Sequence, residues 1–383
     1  MVKRKVIDLI FRTIKKNPVI FITGPRQSGK TTLVKRYFAD FVYFNLESPD
    51  VRLLFASDPK KVLLSNDQLI IDEIQRLPEM FSYIQTIVDE NPKKRFVLTG
   101  SQNIVLSQKV SQTLAGRVAI FVLLPFSIVE LKKTKFWTND LDRLILKGFY
   151  PRIYDKNLNS FQWFQDYLQT YIEKDVREIK NIGNLLDFQR FLKLLAGRSG
   201  QILNLSSIAS DVGVSVNTIK NWLSILQATY IITLIPPYYK NFNKRIIKSP
   251  KIYFLDSGLL CALLDIKNII HLKTHPLYGN IYENFCVSEF LKQNFYQNLK
   301  INFYFWQDKT GREIDLIYEL DNKIHAIEFK VSSTFNEDLI KNLLYFQKLT
   351  KKSAVYQLYF TDKEDFVFKN VKVKSWEKIA IES

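Results

Sequence analysis

One stretch near the amino end limits what this chain can become. The apolar, β-rich run Val19-Ile20-Phe21-Ile22-Thr23 leads into Gly24-Pro25-Arg26-Gln27-Ser28-Gly29-Lys30-Thr31-Thr32. That stretch satisfies G-x-x-x-x-G-K-[ST], and it stands between a strand and the start of a helix, the context in which the pattern works as a phosphate-binding loop. Loop amides and the first turn of a helix present partial positive charge to anionic oxygens, so residues Gly24 to Thr32 would cradle phosphates. Lys30 would reach the β and γ oxygens, and the Thr31 hydroxyl would ligate magnesium. Arg26 either approaches phosphate or points into solvent.

Such a loop belongs on a parallel sheet, and the sequence supplies the strands. Between about 17 and 135, short β-rich runs alternate with helical stretches: VIFITG (19–24), FVYFNL (41–46), LIIDE (69–73), RFVLTG (95–100) and AIFVLL (119–124). This is the pattern of a parallel sheet covered by helices. The third run ends in two carboxylates, Asp72 and Glu73, whose side chains point in different directions because they are adjacent on a strand. Asp72 would hold the magnesium shell, and Glu73 would orient and polarise an attacking water, a division of labour suited to phosphoryl transfer.

Farther along, residues 139–200 lose the strand pattern, and FQWFQDYLQTYIEKDVREI and LLDFQRFLKLLAG carry apolar residues at helical spacing, as expected of a helical lid. Residues 201–256 resemble a winged helix. Ser206 is expected to cap a short helix, Gly213 to make the turn, and SVNTIKNWLSILQ to form a second helix with Val216, Ile219, Leu223 and Leu226 inward. RIIKSPKIYFL (245–255) reads as a β-wing turning at Ser249-Pro250. Asn217, Lys220 and Asn221 would lie on the exposed face of the second helix, with Lys240, Lys244, Arg245 and Lys248 as phosphate contacts.

The last third starts near residue 278 with a helix, followed by strands near INFYFW, EIDLIYE and KIHAIEFKV and a helix near NEDLIKNLLYFQKL. Its notable constellation is Glu283 on the helix, Asp315 on a strand, and Glu328 and Lys330 at i and i+2 on the next strand, hence on one face. This arrangement resembles the PD-(D/E)xK nuclease fold, which implies that Glu283, Asp315 and Glu328 hold a magnesium ion while Lys330 positions water. Gly311-Arg312-Glu313 makes the turn into the Asp315 strand. The expected architecture is therefore α/β in three units: an N-terminal P-loop parallel-sheet domain (1–135), a helical and winged-helix middle (136–260) and a C-terminal α/β nuclease-like domain (261–383).

Composition narrows the classes. With 46% hydrophobic against 24% charged residues, the chain can fill cores and is not of the disordered type. Cys261 and Cys286 lie in apolar surroundings, outside any CxxC or metal-ligand spacing, and are expected to be buried thiols. The basic N-terminus reads as an amphipathic helix and not a signal peptide. No run approaches 18 apolar residues, so no membrane span and a cytoplasmic protein are expected. Lys and Arg total 55 against 38 Asp and Glu, giving +17, which favours polyanion partners such as DNA but is also compatible with a Lys-rich solvated surface.

Taken together, GPRQSGKTT, LIIDEIQ, FVLTGSQN, LAGRV, GFYPRI, YIEKDVREI and FLDSGLL resemble segments of the AAA+ superfamily. More narrowly, they resemble a bacterial and archaeal group whose AAA domain is fused to a further C-terminal domain. By that resemblance, Ser101, Gln102 and Asn103 stand where the family carries a polar sensor of the γ-phosphate, with Gln102 favoured; the others would cap the following helix. Arg117, in Leu114-Ala115-Gly116-Arg117-Val118, is either a charge-stabilising arginine, acting in its own subunit or on a neighbour's nucleotide, or a structural ion pair. The implied protein is an ATPase using ATP and Mg2+ and acting on DNA, with a homo-oligomer or protein partner open. The alternative is an ATP-switched protein-interaction module whose nuclease-like fold is catalytically silent.

Overall fold

The computed structural model describes residues 2–101, 114–171, 185–238, 249–332, 334–350, 353–361 and 365–382. Five strands form the first sheet: β1 (Val19–Thr23), β2 (Val42–Asn45), β3 (Gln68–Asp72), β4 (Arg95–Thr99) and β5 (Val118–Val122). Their order is β2-β3-β4-β1-β5, all parallel. Every residue of β1 is buried, because a central parallel strand is covered on both faces. Alternation divides them: Val19 and Phe21 join the core under the helix Met80–Glu90, while Ile20 and Ile22 join the core under the helices Ile7–Ile14 and Lys30–Tyr37. The carboxyl ends of β1, β3 and β4 consequently lie side by side, the edge at which open α/β sheets bind ligands.

The middle of the chain is helical (Leu141–Lys147, Pro151–Asp155, Ser160–Tyr171 and Leu185–Ala196), then turns to two helices and a hairpin. The first of those helices is Leu205–Val212, and its cap differs from the expected one. Asn204, not Ser206, accepts the amide of Ser207 at 3.1 Å, so the helix starts earlier. Gly213 ends it at φ 86°, a left-handed conformation that costs glycine nothing. Ser215 caps Val216–Ala228, which buries Ile219, Trp222, Leu223, Ile225 and Leu226 and leaves Val216 half-buried. Of the expected wing, only the part from residue 249 onward lies among the described residues. β7 (Lys251–Phe254) starts after Pro250 and pairs antiparallel with β6 (Ile232–Ile235). The residues 239–248 between them, including Lys240, Lys244, Arg245 and Lys248, fall outside the described ones.

The helix Ser257–Leu263 runs unbroken through residue 260, and the twenty-residue helix Tyr278–Gln297 follows. The second large sheet has the order β12-β13-β11-β10-β9-β8. β8 (Phe303–Gln307), β9 (Glu313–Leu320) and β10 (Lys323–Lys330) form an antiparallel meander. The helix Lys341–Leu349 then crosses to β11 (Ala354–Phe360), parallel to β10, and β12 (Phe366–Phe368) and β13 (Val371–Ser375) complete the edge. One continuous core joins the middle helices, the hairpin, the helix Tyr278–Gln297 and Leu316, Tyr318, Ile327 and Phe329 of this sheet. Cys261 and Cys286 are free thiols buried within it. No helix among the described residues is long and apolar enough to cross a membrane.

Candidate functional site

The loop after β1 is shaped by backbone needs that its sequence meets. Gly24 has φ 140°, and a Cβ there would stand 2.3 Å from the carbonyl oxygen of Leu123. Gln27 and Gly29 also take positive φ, 59° and 96°, so the chain coils tightly before entering the helix Lys30–Tyr37. Lys30 is buried, and its ammonium donates to the carbonyls of Gly24 and Pro25 at 3.0 and 2.8 Å, which holds the cation inside the loop. The Ser28 hydroxyl is fully buried with no hydrogen-bond partner among the described residues. Arg26 is half-buried; Gln27 and Thr32 lie exposed at the rim.

The second half of the site is in hydrogen-bond contact with the first. The Thr31 hydroxyl donates to Asp72 Oδ2 at 2.8 Å. Asp72 is buried at the end of β3, where it also accepts from Tyr43 at 2.6 Å and from Thr99 of β4. Burial, and then the hydrogen bond to Asp72, hold the Tyr43 hydroxyl well above the usual tyrosine range, so it stays a donor. Hydroxyl and carboxylate oxygens side by side form a donor set for a hard divalent cation, which fits magnesium. Glu73 follows in a left-handed turn (φ 59°), which sends its side chain away from that of Asp72. The Gln75 amide donates to Glu73 Oε2 and lies 3.1 Å from the Ser101 hydroxyl, tying the carboxylate to the end of β4. Gln102 and Asn103 lie outside the described residues.

Tyr43, Thr99 and Gln75 were not singled out from sequence, although Gln75 sits inside LIIDEIQ. Arg4 carried no local signal at all. Its guanidinium donates to the Ser28 carbonyl at 2.9 Å, to the Leu124 carbonyl, and to the buried carboxylate of Glu130 at 3.0 Å, bracing the loop from beneath.

Arg117 is placed elsewhere. It forms a two-pronged ion pair with Asp89, at 2.5 and 2.8 Å, and its carbonyl accepts from Val19 at the amino end of β1. That is the opposite end of the sheet from the loop, roughly 16 Å away at about 3.3 Å per strand residue. The structural ion pair is present, and within one subunit Arg117 does not meet the nucleotide loop.

The C-terminal constellation converges. Glu283 from the helix Tyr278–Gln297, and Glu313 and Asp315 from β9, each offer a carboxylate oxygen within 4.8 Å of the others. Asp315 also accepts the Phe329 amide at 2.8 Å. Lys330 lies 2.6 Å from Glu328 and 3.7 Å from Asp315. Glu328 is completely buried, and burial together with the neighbouring Asp315 pushes its carboxyl up to about 8. Burial raises Glu283, and it raises Glu313 to about 7.

Two further members come from β7. Lys251 of β7 lies 3.0 Å from Glu283 and pairs with Glu313, and the Tyr253 hydroxyl donates to the same Glu283 oxygen at 2.6 Å. Burial acts to lower Lys251, and Glu283, Tyr253, Glu313 and Asp315 more than reverse it. Glu313 is legible in hindsight as the i−2 neighbour of Asp315 on one strand face. Lys251 and Tyr253 have no sequence signal, since they reach the cluster from another unit. On the helix Val216–Ala228, Asn217, Lys220 and Asn221 are exposed, as expected.

Comparison with known proteins gives three matched segments: residues 16–132 match an AAA domain, and 138–269 and 278–379 each match a domain of unknown function. An uncharacterized protein of Mycobacterium tuberculosis is 31% identical over 339 residues, covering 87% of this chain and 74% of that one. An uncharacterized protein of Methanocaldococcus jannaschii is 24% identical over 377 residues, covering 88% of this chain and 81% of that one. Among solved structures, a Walker-type ATPase of Pyrococcus abyssi aligns with a TM-score of 0.47 at 13% identity, covering 69% of this chain and 96% of that one.

Proposed function

We propose, for a chain that belongs to the AAA+ P-loop ATPases and to one family with the mycobacterial relative, that it binds Mg-ATP on the loop Gly24–Thr32 and hydrolyses it, coupling turnover to action on DNA. The single observation that carries the reading is the 2.8 Å hydrogen bond from Thr31 to Asp72, which joins the phosphate loop to the acidic strand end. Thr31 and Asp72 would hold magnesium, which would supply positive charge to offset that of the phosphates. Lys30 binds and orients the phosphate oxygens, exchanging the carbonyls of Gly24 and Pro25 for them. Glu73, steadied by Gln75, takes up the role of orienting and polarising water. Gln102 is the proposed γ-phosphate sensor, and Arg117 is a charge-stabilising arginine only toward a neighbouring subunit's nucleotide, once its pair with Asp89 opens.

Action on DNA is supported by the +17 charge and by the exposed Lys220 on the second helix of the winged-helix segment. The C-terminal unit contributes Glu283, Asp315, Glu328 and Lys330 in a nuclease-like arrangement. One observation favours the alternative of a silent nuclease fold and an ATP-switched interaction module: Lys251 already neutralises part of that cluster. Nucleotide binding is tested by titrating Mg-ATP into wild type, Lys30→Ala and Thr31→Ala. Loss of a charge-assisted hydrogen bond of about 1.5–3 kcal/mol weakens Lys30→Ala by roughly 10- to 150-fold. Undiminished binding by Lys30→Ala would move the nucleotide off this loop.

A further inference from the structure

We infer that Lys251 is a built-in stopper of the C-terminal acidic cluster. Its ammonium takes the position of a divalent cation, so the cluster is closed to metal while Lys251 is in place. The inference rests on reading the cluster as a divalent-cation site.

Three independent features carry it. First, the spacing of Glu283, Glu313 and Asp315, with oxygens within 4.8 Å of one another, suits one hard cation held by carboxylates. The Lys251 ammonium sits among them, 3.0 Å from Glu283 and paired with Glu313, with only 2% of its side chain exposed. Second, a fourth buried acid stands beside the three: Lys330 lies 2.6 Å from Glu328 and 3.7 Å from Asp315. Glu328, wholly buried beside Asp315, keeps its Oε1 without a hydrogen-bond partner among the described residues. A fully buried carboxylate oxygen with nothing to accept from is a costly arrangement that a metal ion relieves.

Third, Lys251 belongs to a different unit from the acids. It opens β7, the second strand of the hairpin in the winged-helix segment, and β7 packs Ile252, Tyr253 and Phe254 into the core it shares with the helix bearing Glu283, with polar contacts added. Asn284 accepts the Phe254 amide at 2.7 Å, donates to the Phe254 carbonyl at 3.0 Å, and receives the Ser199 hydroxyl at 2.8 Å. Lys251 and Tyr253 are thereby held together over Glu283, and the lysine in place closes the metal-spaced oxygens of Glu283, Glu313 and Asp315.

The test titrates Mn2+ into the nucleotide-free full chain by calorimetry and follows thermal unfolding with and without Mn2+, for wild type, Lys251→Met, and Lys251→Met with Asp315→Asn. Lys251→Met is expected to bind Mn2+ at least about tenfold more tightly than wild type, to gain thermal stability from it, and to lose both gains with Asp315→Asn. Should Lys251→Met fail to fold without metal, Lys251→Met/Glu313→Gln carries the same test, since it removes one cation and one anion and leaves Glu283, Asp315 and Glu328 as ligands. Equal binding by wild type and Lys251→Met at a site abolished by Asp315→Asn leaves the metal site standing and overturns the stopper. Folded variants that take up no Mn2+ overturn both, and the cluster is then an ion-pair network between the units.

Discussion

Gly24 is the residue whose replacement the loop tolerates least. A Cβ placed 2.3 Å from the Leu123 carbonyl forces β1 and β5 apart at the mouth of the site, so Gly24→Ala is expected to abolish nucleotide binding while the far C-terminal unit stays folded. Arg4 is the complementary case, a residue that touches no nucleotide and supports the loop that does. Arg4→Met leaves the Glu130 carboxylate, 2% exposed, without its cation. The lost partner of a buried pair costs about 3 kcal/mol, read as a lowered denaturant midpoint. An unchanged midpoint would mean that the amides of Lys5 and Ser127 satisfy Glu130 by themselves. Gly24, Lys30, Thr31, Asp72 and Glu73 were readable because their chemistry is packed into two short segments. Arg4 was not, because its partner lies 126 residues away and nothing local to Arg4 announces it.

At the scale of elements, the five parallel strands were legible because each is a short apolar run punctuated by turns. The second sheet was legible only through β10, and strands β11 to β13 were not anticipated. β11 is a central strand, yet its apolar run is broken by the fully buried Gln357, which hides the continuous hydrophobic pattern by which such strands are read. The pairing of β7 with β6 was not anticipated, because local turn residues do not encode it, and the first arm of the expected wing lies outside the described residues. The pairing of β9 with β10 carries a pH prediction. His325 stacks on Tyr318 at 4.4 Å, is almost fully buried, and burial holds its imidazole down to about 4. The folded state therefore binds fewer protons than the unfolded one between about pH 6.5 and 4, so this contribution is complete above 6.5 and is lost as pH falls toward 4. The loss is on the order of 3 kcal/mol. His325→Phe keeps the stack and should flatten the acid limb of a stability profile; an unchanged limb would assign it to other groups.

For the whole molecule, one core runs from the middle helices to one face of the second sheet, while the phosphate loop sits on a sheet packed between two other cores. The net charge of +17 is the feature that the proposed action on DNA draws on. Log affinity for DNA should fall linearly with log salt, by about 0.9 per phosphate neutralised, and Lys220→Glu should weaken binding across sequences alike. Salt-independent binding would point instead to a protein partner. The chain's central chemistry is most directly tested by steady-state ATP hydrolysis of the purified protein, with and without DNA, using Glu73→Gln as the blank. The expected result is turnover that DNA stimulates and that Glu73→Gln reduces by roughly 100-fold or more while still binding ATP. Turnover in Glu73→Gln equal to wild type, or none in either, would contradict hydrolysis at this site.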